Sequence, residues 1–157
     1  MDEKTDNNPL GSGLPDYLPG WLEFTLSRAS LRAKEIFEEA LEPLNIRSKH
    51  YAVMALLREN GAMGQQVAGD RLGIDRTTMV SLIDDLEKLR LAERRLNTGD
   101  RRSYLIRLTS KGEVSLLRAD AAVSSAENRL LAQLSTVERQ QLHSLLDRIS
   151  IGTGKRK

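Results

Sequence analysis

The part of this sequence that most constrains its fold is residues 64–112, where four local patterns follow one another without a gap. A short helical pattern leads through Gly73 into a longer amphipathic helical pattern, and two short strand patterns flank a turn-rich stretch at residues 97–100. The longer pattern repeats apolar residues at steps of three and four, which predicts one buried face: Met79, Leu82, Ile83, Leu86 and Leu89. The short pattern, at about residues 65–72, predicts three inward-facing residues: Val67, Ala68 and Leu72. Helix, tight turn, helix and basic hairpin, in this order, are typical of a winged helix-turn-helix.

The longer helix is predicted to begin after Asp75, whose carboxylate can cap the free amides of the first turn. In a helix-turn-helix, the N-terminal half of this second helix faces base edges in the DNA major groove. Hydroxyl groups can donate to or accept from base edges, and methyl groups can meet the methyl of thymine. The predicted DNA-binding residues on this helix are Arg76, Thr77, Thr78, Val80 and Ser81. The alternative is that these are ordinary solvated positions.

The hairpin, predicted as strands at residues 92–96 and 103–108, lies in a region of positive charge. Residues 88–111 hold eight basic and two acidic side chains, for a net charge of +6. A field of this sign suits a polyanion, although a charge run taken alone is more often a solvated face. The predicted DNA-binding residues of the hairpin are Arg94, Arg95, Asp100, Arg101 and Arg102.

These hairpin residues are expected to have different roles. At least one of Arg94 and Arg95 is expected to contact phosphate, because both lie on the strand that enters the hairpin. Asp100 is expected to accept hydrogen bonds from an arginine, which would stiffen the tip and leave an arginine for the DNA. An ordinary surface ion pair is the alternative. Which of Arg101 and Arg102 enters a groove stays open.

Amphipathic helical patterns on both sides of this stretch complete a mostly α fold with a small β-hairpin. The first helix is predicted from Trp21 to about Leu41, and Ser48 is predicted to cap the second helix. Two Ser-x-x-Glu motifs, at residues 110–113 and 135–138, are typical of capping boxes and predict two further helices.

The chain is expected to divide into parts with different tasks. The predicted parts are a flexible N-terminal arm at residues 1–19, dimerisation helices at 20–45 and 112–151, a winged DNA-binding lobe at 46–111 and a basic tail at 152–157.

Composition limits the kind of protein that this can be. A chain of 157 residues with 39% hydrophobic residues is enough for one domain with an appended helical part, and it would gain from burying more apolar surface by dimerising. The absence of cysteine excludes disulfides and thiol catalysis and suits a reducing cytoplasm. No apolar run approaches the roughly 20 residues that span a bilayer, and the acidic N-terminus lacks the features of a signal peptide. We therefore expect a cytoplasmic protein that does not associate with a membrane.

No group of residues predicts catalysis or a bound cofactor or metal. The two histidines, His50 and His143, lie far apart and have no partner at ligand spacing. The adjacent acids Asp84 and Asp85 point in different directions on a helix, and there is no phosphate-binding glycine loop. We expect no enzyme activity, no catalytic residues, no cofactor and no metal site.

Residues 64–112 resemble the MarR family of bacterial transcriptional regulators. The resemblance rests on the sequence LGIDRTTMVSLIDDLEKLRLAERR, followed by DRRSYLIRLTSKG. The wing signature of the family is Asp, any residue, Arg and a small residue, with Leu-Thr and Gly shortly after. Its counterparts here are Asp100, Arg101, Arg102, Ser103, Leu108, Thr109 and Gly112. With the flanking helices, the resemblance extends over roughly residues 18–149.

The resemblance implies a homodimer whose N- and C-terminal helices interlock, with one winged lobe on each side that reads half of a palindromic operator in double-stranded DNA. It also implies, for many members, a small-molecule pocket where the lobe meets the dimerisation helices. Candidate contacts for a small aromatic or phenolic effector here are His50, Tyr51 and Trp21. For His50 the alternative is a structural or surface residue, which a lone histidine more often is. We thus predict a homodimeric, ligand-responsive repressor; the alternative is a winged-helix protein-interaction module without specific DNA binding.

Two departures from the family pattern affect this prediction. Many members carry Thr-Arg where this chain has Val80 and Ser81, so the preferred operator cannot be transferred from them. Some members sense oxidants through a cysteine near the end of the first helix, and this chain has none.

Overall fold

The computed structural model describes residues 22–151, except the side chains of Arg101 and Ile151. This part of the chain forms six helices and one small sheet. The elements in order are α1 Leu22–Leu41, a 3₁₀ turn Glu42–Leu44, α2 Ser48–Asn60, β1 Met63–Gly64, α3 Gln65–Leu72, α4 Arg76–Lys88, β2 Ala92–Asn97, β3 Asp100–Leu108, α5 Ser110–Leu130 and α6 Thr136–Ile151. The predicted mostly α fold with a β-hairpin is therefore confirmed.

The sheet is antiparallel, with β3 in the centre between β1 and β2. Ile106 of β3 lies opposite Met63 of β1 and Arg94 of β2, so the short strand β1 ties the hairpin to the helices. Both hairpin strands are longer than predicted, and the turn between them shrinks to residues 98–99. Asn97 pairs with Asp100 after a register shift, which brings both turn-forming residues into the strands.

The winged lobe has a hydrophobic core of its own, built from α2, α3, α4, the sheet and the first half of α5. The predicted buried stripe of α4 is confirmed at Met79, Leu82, Ile83 and Leu86. Other side chains with almost no exposure are Leu41, Val53, Met54, Ile106 and Leu116.

The predicted inward face of α3 is partly wrong, because Val67 is 48% exposed. Ala68 is fully buried and Leu72 is half-buried, as predicted. The face is set by Gly69, where a Cβ would lie only 2.9 Å from the carbonyl oxygen of Ile74. Because α3 packs with Gly69 against the backbone at Ile74, the helix is rotated about its axis and Val67 points outward.

Two of the predicted helix caps are wrong by one residue. Ser48 is already the first residue of α2, and the cap residue is Arg47, whose backbone amide donates to Nδ1 of His50 at 3.0 Å. Thr109, not Ser110, caps α5, because its extended backbone places Oγ1 3.0 Å from the amide of Gly112.

The capping box of the last helix is confirmed. Oε2 of Glu138 accepts from the amide of Ser135 at 2.8 Å and from its hydroxyl at 2.7 Å. These bonds, the side-chain one foremost, lower the pKa of Glu138.

Apart from Leu41 at the end of α1, the two terminal helices lie outside this core. α1 packs along α5 and touches α2, yet only Ile36 and Leu41 of α1 are buried. α6 is held to α5 by polar contacts, with His143 2.9 Å from Glu127 and an arginine–asparagine bond between residues 139 and 128. Many of their apolar side chains are exposed: Leu22, Phe24, Leu26, Leu31, Val137, Leu145, Leu146 and Ile149. Among residues 22–151, no helix combines the length and the hydropathy that crossing a membrane would require.

Candidate nucleic-acid interface

The solvent face of α4 brings together four of the five residues predicted on this helix. Together with three charged residues further along, they line a shallow surface groove: Arg76, Thr77, Val80, Ser81, Asp84, Asp85 and Lys88. The buried stripe on the opposite side of α4 fixes which face is presented.

Thr78 has a different task from the other four. Its amide donates to Oδ1 of Asp75 at 2.9 Å and its hydroxyl donates to Oδ2 at 2.6 Å. The hydroxyl bond is the main cause of the lowered pKa of Asp75. Asp75 is therefore the predicted cap of α4, and Thr78 completes that cap while its hydroxyl faces the carboxylate.

A tight turn aims the start of α4 outward from the lobe. Gly73 has a positive φ of 63°, a conformation that side chains disfavour. The amide of Ile74 bonds back to the carbonyl of Gly69 at 2.9 Å, which closes the end of α3. The turn and the close packing at Gly69 together set the angle between the two helices.

Arg94 and Arg95, adjacent on β2, have opposite surroundings because successive residues of a strand face opposite sides. Arg94 pairs with Asp84 at 2.8 Å and with Glu87, both on α4. It also contacts Gln65 at 3.3 Å, and its backbone amide donates to Glu87 at 2.9 Å. Arg94 is thus a clasp between β2 and α4.

Arg95 lies on the outer face of the hairpin and is mostly exposed. Its Nε is 3.0 Å from Glu93, which also accepts from Arg107 on the neighbouring strand. Hydrogen bonds from Arg95 and Arg107, in that order, hold the pKa of Glu93 below its usual value. Of the two predicted phosphate contacts, Arg95 is the one on a solvent-facing surface.

The tip of the hairpin is held by short bonds within its own chain. Oδ1 of Asp100 accepts from the backbone amide of Arg102 at 3.0 Å, so the donor in this bond is the main chain and not the guanidinium. Asn97 accepts from the amide of Gly99 at 3.0 Å and donates to Ser103 at 3.1 Å. These bonds shape the tip and leave the Arg102 side chain exposed.

The base of the hairpin is docked to the start of α5 by residues of the wing signature. The hydroxyl of Thr109 donates to the carbonyl of Arg90 at 2.7 Å, while Lys111 donates to the carbonyl of Leu89 at 2.8 Å. Gly112 lies so close to this turn that a Cβ would come within 2.0 Å of the carbonyl oxygen of Leu91. Threonine and glycine at these positions therefore fasten the lobe to α5.

His50, one of the candidate effector contacts, is a residue of α2 that is 7% exposed, and its ring faces Asp85 of α4. Its Nδ1 accepts the amide of Arg47, and Nε2 is 3.7 Å from Oδ2 of Asp85, longer than an ordinary hydrogen bond. Burial lowers the pKa of His50, and Asp85 opposes that shift.

Tyr51, the second candidate, joins α2 to α5. Its hydroxyl donates to Oδ1 of Asp120 at 3.0 Å, and Arg58 donates to Oδ2 of the same carboxylate at 2.5 Å. Burial first, and then the bond to Asp120, raises the pKa of Tyr51. Trp21, the third candidate, lies outside the described residues.

The roles of Arg94 and Asp120 were not predicted from the sequence. For Arg94 a signal existed, because α4 carries Asp84, Asp85 and Glu87 beside a face predicted to meet DNA. Acids in that position need a cationic partner within the protein. For Asp120 no local signal existed, because its partners are more than 60 residues away.

Comparisons with known proteins find transcriptional regulators. The sequence pattern of the MarR family matches residues 44–103. A protein of Thauera aromatica to which regulation of the hcr operon is ascribed is 26% identical over 147 residues, which cover 93% of this chain and 89% of the relative. The HTH-type transcriptional regulator PecS of Dickeya dadantii is 29% identical over 128 residues, covering 80% of this chain and 77% of PecS.

A solved structure gives the same answer at higher identity. The transcriptional repressor CouR, determined bound to a 23-mer DNA duplex, is 34% identical to this chain. The match has a TM-score of 0.83 and covers 88% of this chain and 99% of CouR. The chain belongs to the MarR family of transcriptional regulators.

Proposed function

We propose that this regulator binds palindromic operator DNA as a homodimer and represses transcription. The observation that carries the proposal is the exposed face formed by the start of α4, which lies beside the wing in a segment, residues 88–111, with a net charge of +6. The core of the lobe is built from other, apolar side chains, and this polar face is not part of it. The structure of CouR with a DNA duplex supports the same use of the fold.

In this proposal, the residues of α4 that line the groove read bases. Arg76, Thr77, Val80 and Ser81 face the major groove, and each good base contact contributes about 1–3 kcal/mol of discrimination. Thr78 acts through the helix cap and not through a base.

The wing supplies phosphate contacts in this proposal. Arg95 and one or both of Arg101 and Arg102 contact the DNA backbone or a narrow groove. Asp100 shapes the tip, and Arg94 holds the wing against α4.

The proposal divides the chain into two parts with different tasks. In this proposal, residues 46–111 form the DNA-binding lobe, and residues 20–45 and 112–151 form the dimer. The exposed apolar side chains of α1 and α6 support this, because a second copy would cover them. Two recognition helices in such a dimer must sit roughly 34–36 Å apart to enter successive major grooves.

In this proposal, an effector would change the distance between the two recognition helices. A small aromatic or phenolic molecule bound where the lobe meets the terminal helices, near His50 and Tyr51, would favour an arrangement that fits DNA poorly. It can shift the balance only by its differential affinity for the two arrangements. In this proposal the protein works in the cytoplasm as a regulator and not as an enzyme.

The test is selection of bound DNA from a random pool, followed by affinity measurements with variants. We expect a palindrome whose half-sites lie about one helical turn apart. Thr77→Ala and Ser81→Ala should reduce the preference for this operator over random DNA. The double variant Arg101→Ala with Arg102→Ala should weaken binding to both and flatten the salt dependence by about 0.9 for each phosphate that the wing no longer neutralises. Selection of no common sequence would overturn the proposal and favour a protein-interaction module.

A further inference from the structure

Polar contacts join α5 to the winged lobe at two places along its length, and between them Leu116 and Ala119 are buried in the lobe core. The first attachment is at its start, where Thr109, Lys111 and Gly112 meet the turn before β2. The second is at Asp120, which accepts bonds from α2. The attachments lie roughly 12 Å apart along the helix, at 1.5 Å per residue.

Two attachments at this distance fix an angle, whereas one fixes only a pivot. The first attachment is tight, because the backbone at Gly112 touches the carbonyl of Leu91. A displacement of 1 Å at Asp120 about this pivot would tilt the lobe by about 5°, given a lever of roughly 12 Å. The contact at Asp120, together with the packing of Leu116 and Ala119, therefore holds the lobe at its angle to the rest of α5.

Asp120 is suited to this task by its two carboxylate oxygens. Oδ1 accepts from the hydroxyl of Tyr51 at 3.0 Å, and Oδ2 accepts from the guanidinium of Arg58 at 2.5 Å. These donors lie two turns apart on α2, so they approach one carboxylate from different positions on the same helix face. Both side chains of the ion pair are about one-third exposed, which leaves the contact partly sheltered from water.

Two further observations agree with a maintained contact. Burial and the bond to Asp120 raise the pKa of Tyr51, so its phenol, which is protonated at neutral pH in any case, stays a donor in more alkaline solution as well. The bonds to Asp120 are the main reason that the pKa of Arg58 is raised, so this guanidinium stays charged.

We propose that Asp120 is a positioning residue, which holds the lobe at a set angle to α5 through Tyr51 and Arg58 and thereby sets the half-site spacing that the dimer accepts. The proposal rests on the proposed function, because spacing has meaning only for a dimer on a palindrome. In this proposal Tyr51 helps to hold the lobe at its angle to α5, in addition to its proposed contact with an effector.

The test compares two carboxylate-to-amide variants, each of which alters a different contact of α5. Asp120→Asn replaces one of the two acceptor oxygens by an NH2 group, which cannot accept, and it removes the charge, so the contact with Tyr51 and Arg58 is weakened. Glu39→Gln is the matched control, because Glu39 of α1 pairs with Arg129 of α5 at 2.9 Å, an ion pair between α1 and α5. Tyr51→Phe, which removes only a hydroxyl, is a milder second variant in case Asp120→Asn folds poorly.

The first readout is the affinity for the selected operator, compared with operators that have one base pair added or removed at the centre. Each added base pair changes the half-site distance and rotates one half-site about the DNA axis. We expect Asp120→Asn and Tyr51→Phe to narrow the preference for native spacing by about threefold to tenfold, within the range that single coupling residues show. Glu39→Gln should keep the preference of the unaltered protein.

The second readout needs no DNA. Because the chain has no cysteine, Gln66→Cys on the exposed side of α3 gives a single spin-label site in each protomer. Asp120→Asn should broaden the distribution of distances between the two labels, while Glu39→Gln should not. An unchanged distribution together with an unchanged spacing preference, in protein that still binds the operator, would overturn the role of Asp120 alone. Failure of the unaltered protein to prefer any palindrome would overturn the proposed function as well.

Discussion

The winged lobe and the terminal helices bury their apolar side chains to very different extents. In the lobe, Met54, Met79 and Ile83 are almost fully buried within a single chain. In the terminal helices, Leu22 is 67% exposed and Ile149 is 55% exposed. The lobe therefore has a complete core, while α1 and α6 present apolar surface that a single chain leaves in water.

This difference in burial indicates which surface of the chain binds which partner. Exposed apolar patches of this kind indicate an interface, since burying them contributes about 25 cal/mol for each Å² removed from water. A polar groove beside positive charge suits DNA instead, where affinity comes from phosphate contacts and specificity from base edges. A single chain thus carries an apolar surface for a second copy and a polar one for nucleic acid.

The largest effect should come from placing a charge on the apolar face of α6. Leu145→Glu would bury an unpaired carboxylate in the proposed dimer interface, which should weaken the dimer by about 3–5 kcal/mol. Sedimentation equilibrium measures this directly. Val67→Glu, at a similarly exposed apolar residue of the lobe, is the control and should leave the dimer intact. If both variants weakened the dimer equally, the apolar surface of α6 would be no more important for dimerisation than that of the lobe.

A somewhat smaller effect is expected where the two regions join. Gly112→Ala would place a Cβ 2.0 Å from the carbonyl oxygen of Leu91, so the start of α5 must move. We expect a loss of about 3 kcal/mol in the free energy of unfolding, at the upper end of the cost of overpacking. Gly99→Ala at the hairpin tip, where the nearest atom is an ordinary contact at 3.5 Å, should be close to neutral. Denaturant unfolding of both variants checks this, and a neutral Gly112→Ala would contradict the close packing at the joint.

The neighbouring arginines Arg94 and Arg95 should contribute differently to the salt dependence of DNA binding. Arg95→Met should reduce the slope of affinity against salt by about 0.9, because the variant neutralises one phosphate fewer. Arg94→Met should leave the slope unchanged, yet reduce affinity by about 1 kcal/mol, since Asp84 and Glu87 lose their partner beside the DNA. Titrations at several salt concentrations distinguish the two. A reduced slope in Arg94→Met would mean that Arg94 contacts phosphate after all.

The smallest effect concerns pH and the buried histidine. Because burial lowers the pKa of His50 from 6.5, the unfolded chain takes up a proton that the folded chain resists. Stability should therefore fall as the pH drops from about 6.5 towards the lowered pKa of the folded state, and His50 should add no pH dependence above that window. His50→Gln, which can still accept the amide of Arg47 but does not titrate, should flatten this part of the profile. Thermal melting of both proteins across that range measures the difference, and identical profiles would contradict it.

Sequence patterns identified what depends on neighbours along the chain and missed what depends on distant contacts. The buried stripe of α4 and its cap at Asp75 were predictable, because periodicity and capping are local. Val67 was assigned to the wrong face, because a helix of two turns has several possible inward faces and the close approach at Gly69 selects one.

The roles of individual polar residues were the hardest to predict. Arg94 and Arg95 look alike in sequence, and only the position of α4 makes one a clasp and leaves the other towards solvent. The caps at Arg47 and Thr109 differ by one residue from the predicted ones, since neighbouring residues can both cap a helix and tertiary packing decides between them. Asp120 has no local pattern at all.

The most direct test of the account is the mass of the complex with the selected operator, measured by sedimentation. We expect two chains on each palindromic duplex, with much weaker binding to a duplex that carries one half-site. Leu145→Glu should lose this complex while its lobe stays folded. One chain on each duplex at full affinity, or equal binding to operator and random DNA, would contradict the assignment of one surface to a second copy and the other to DNA.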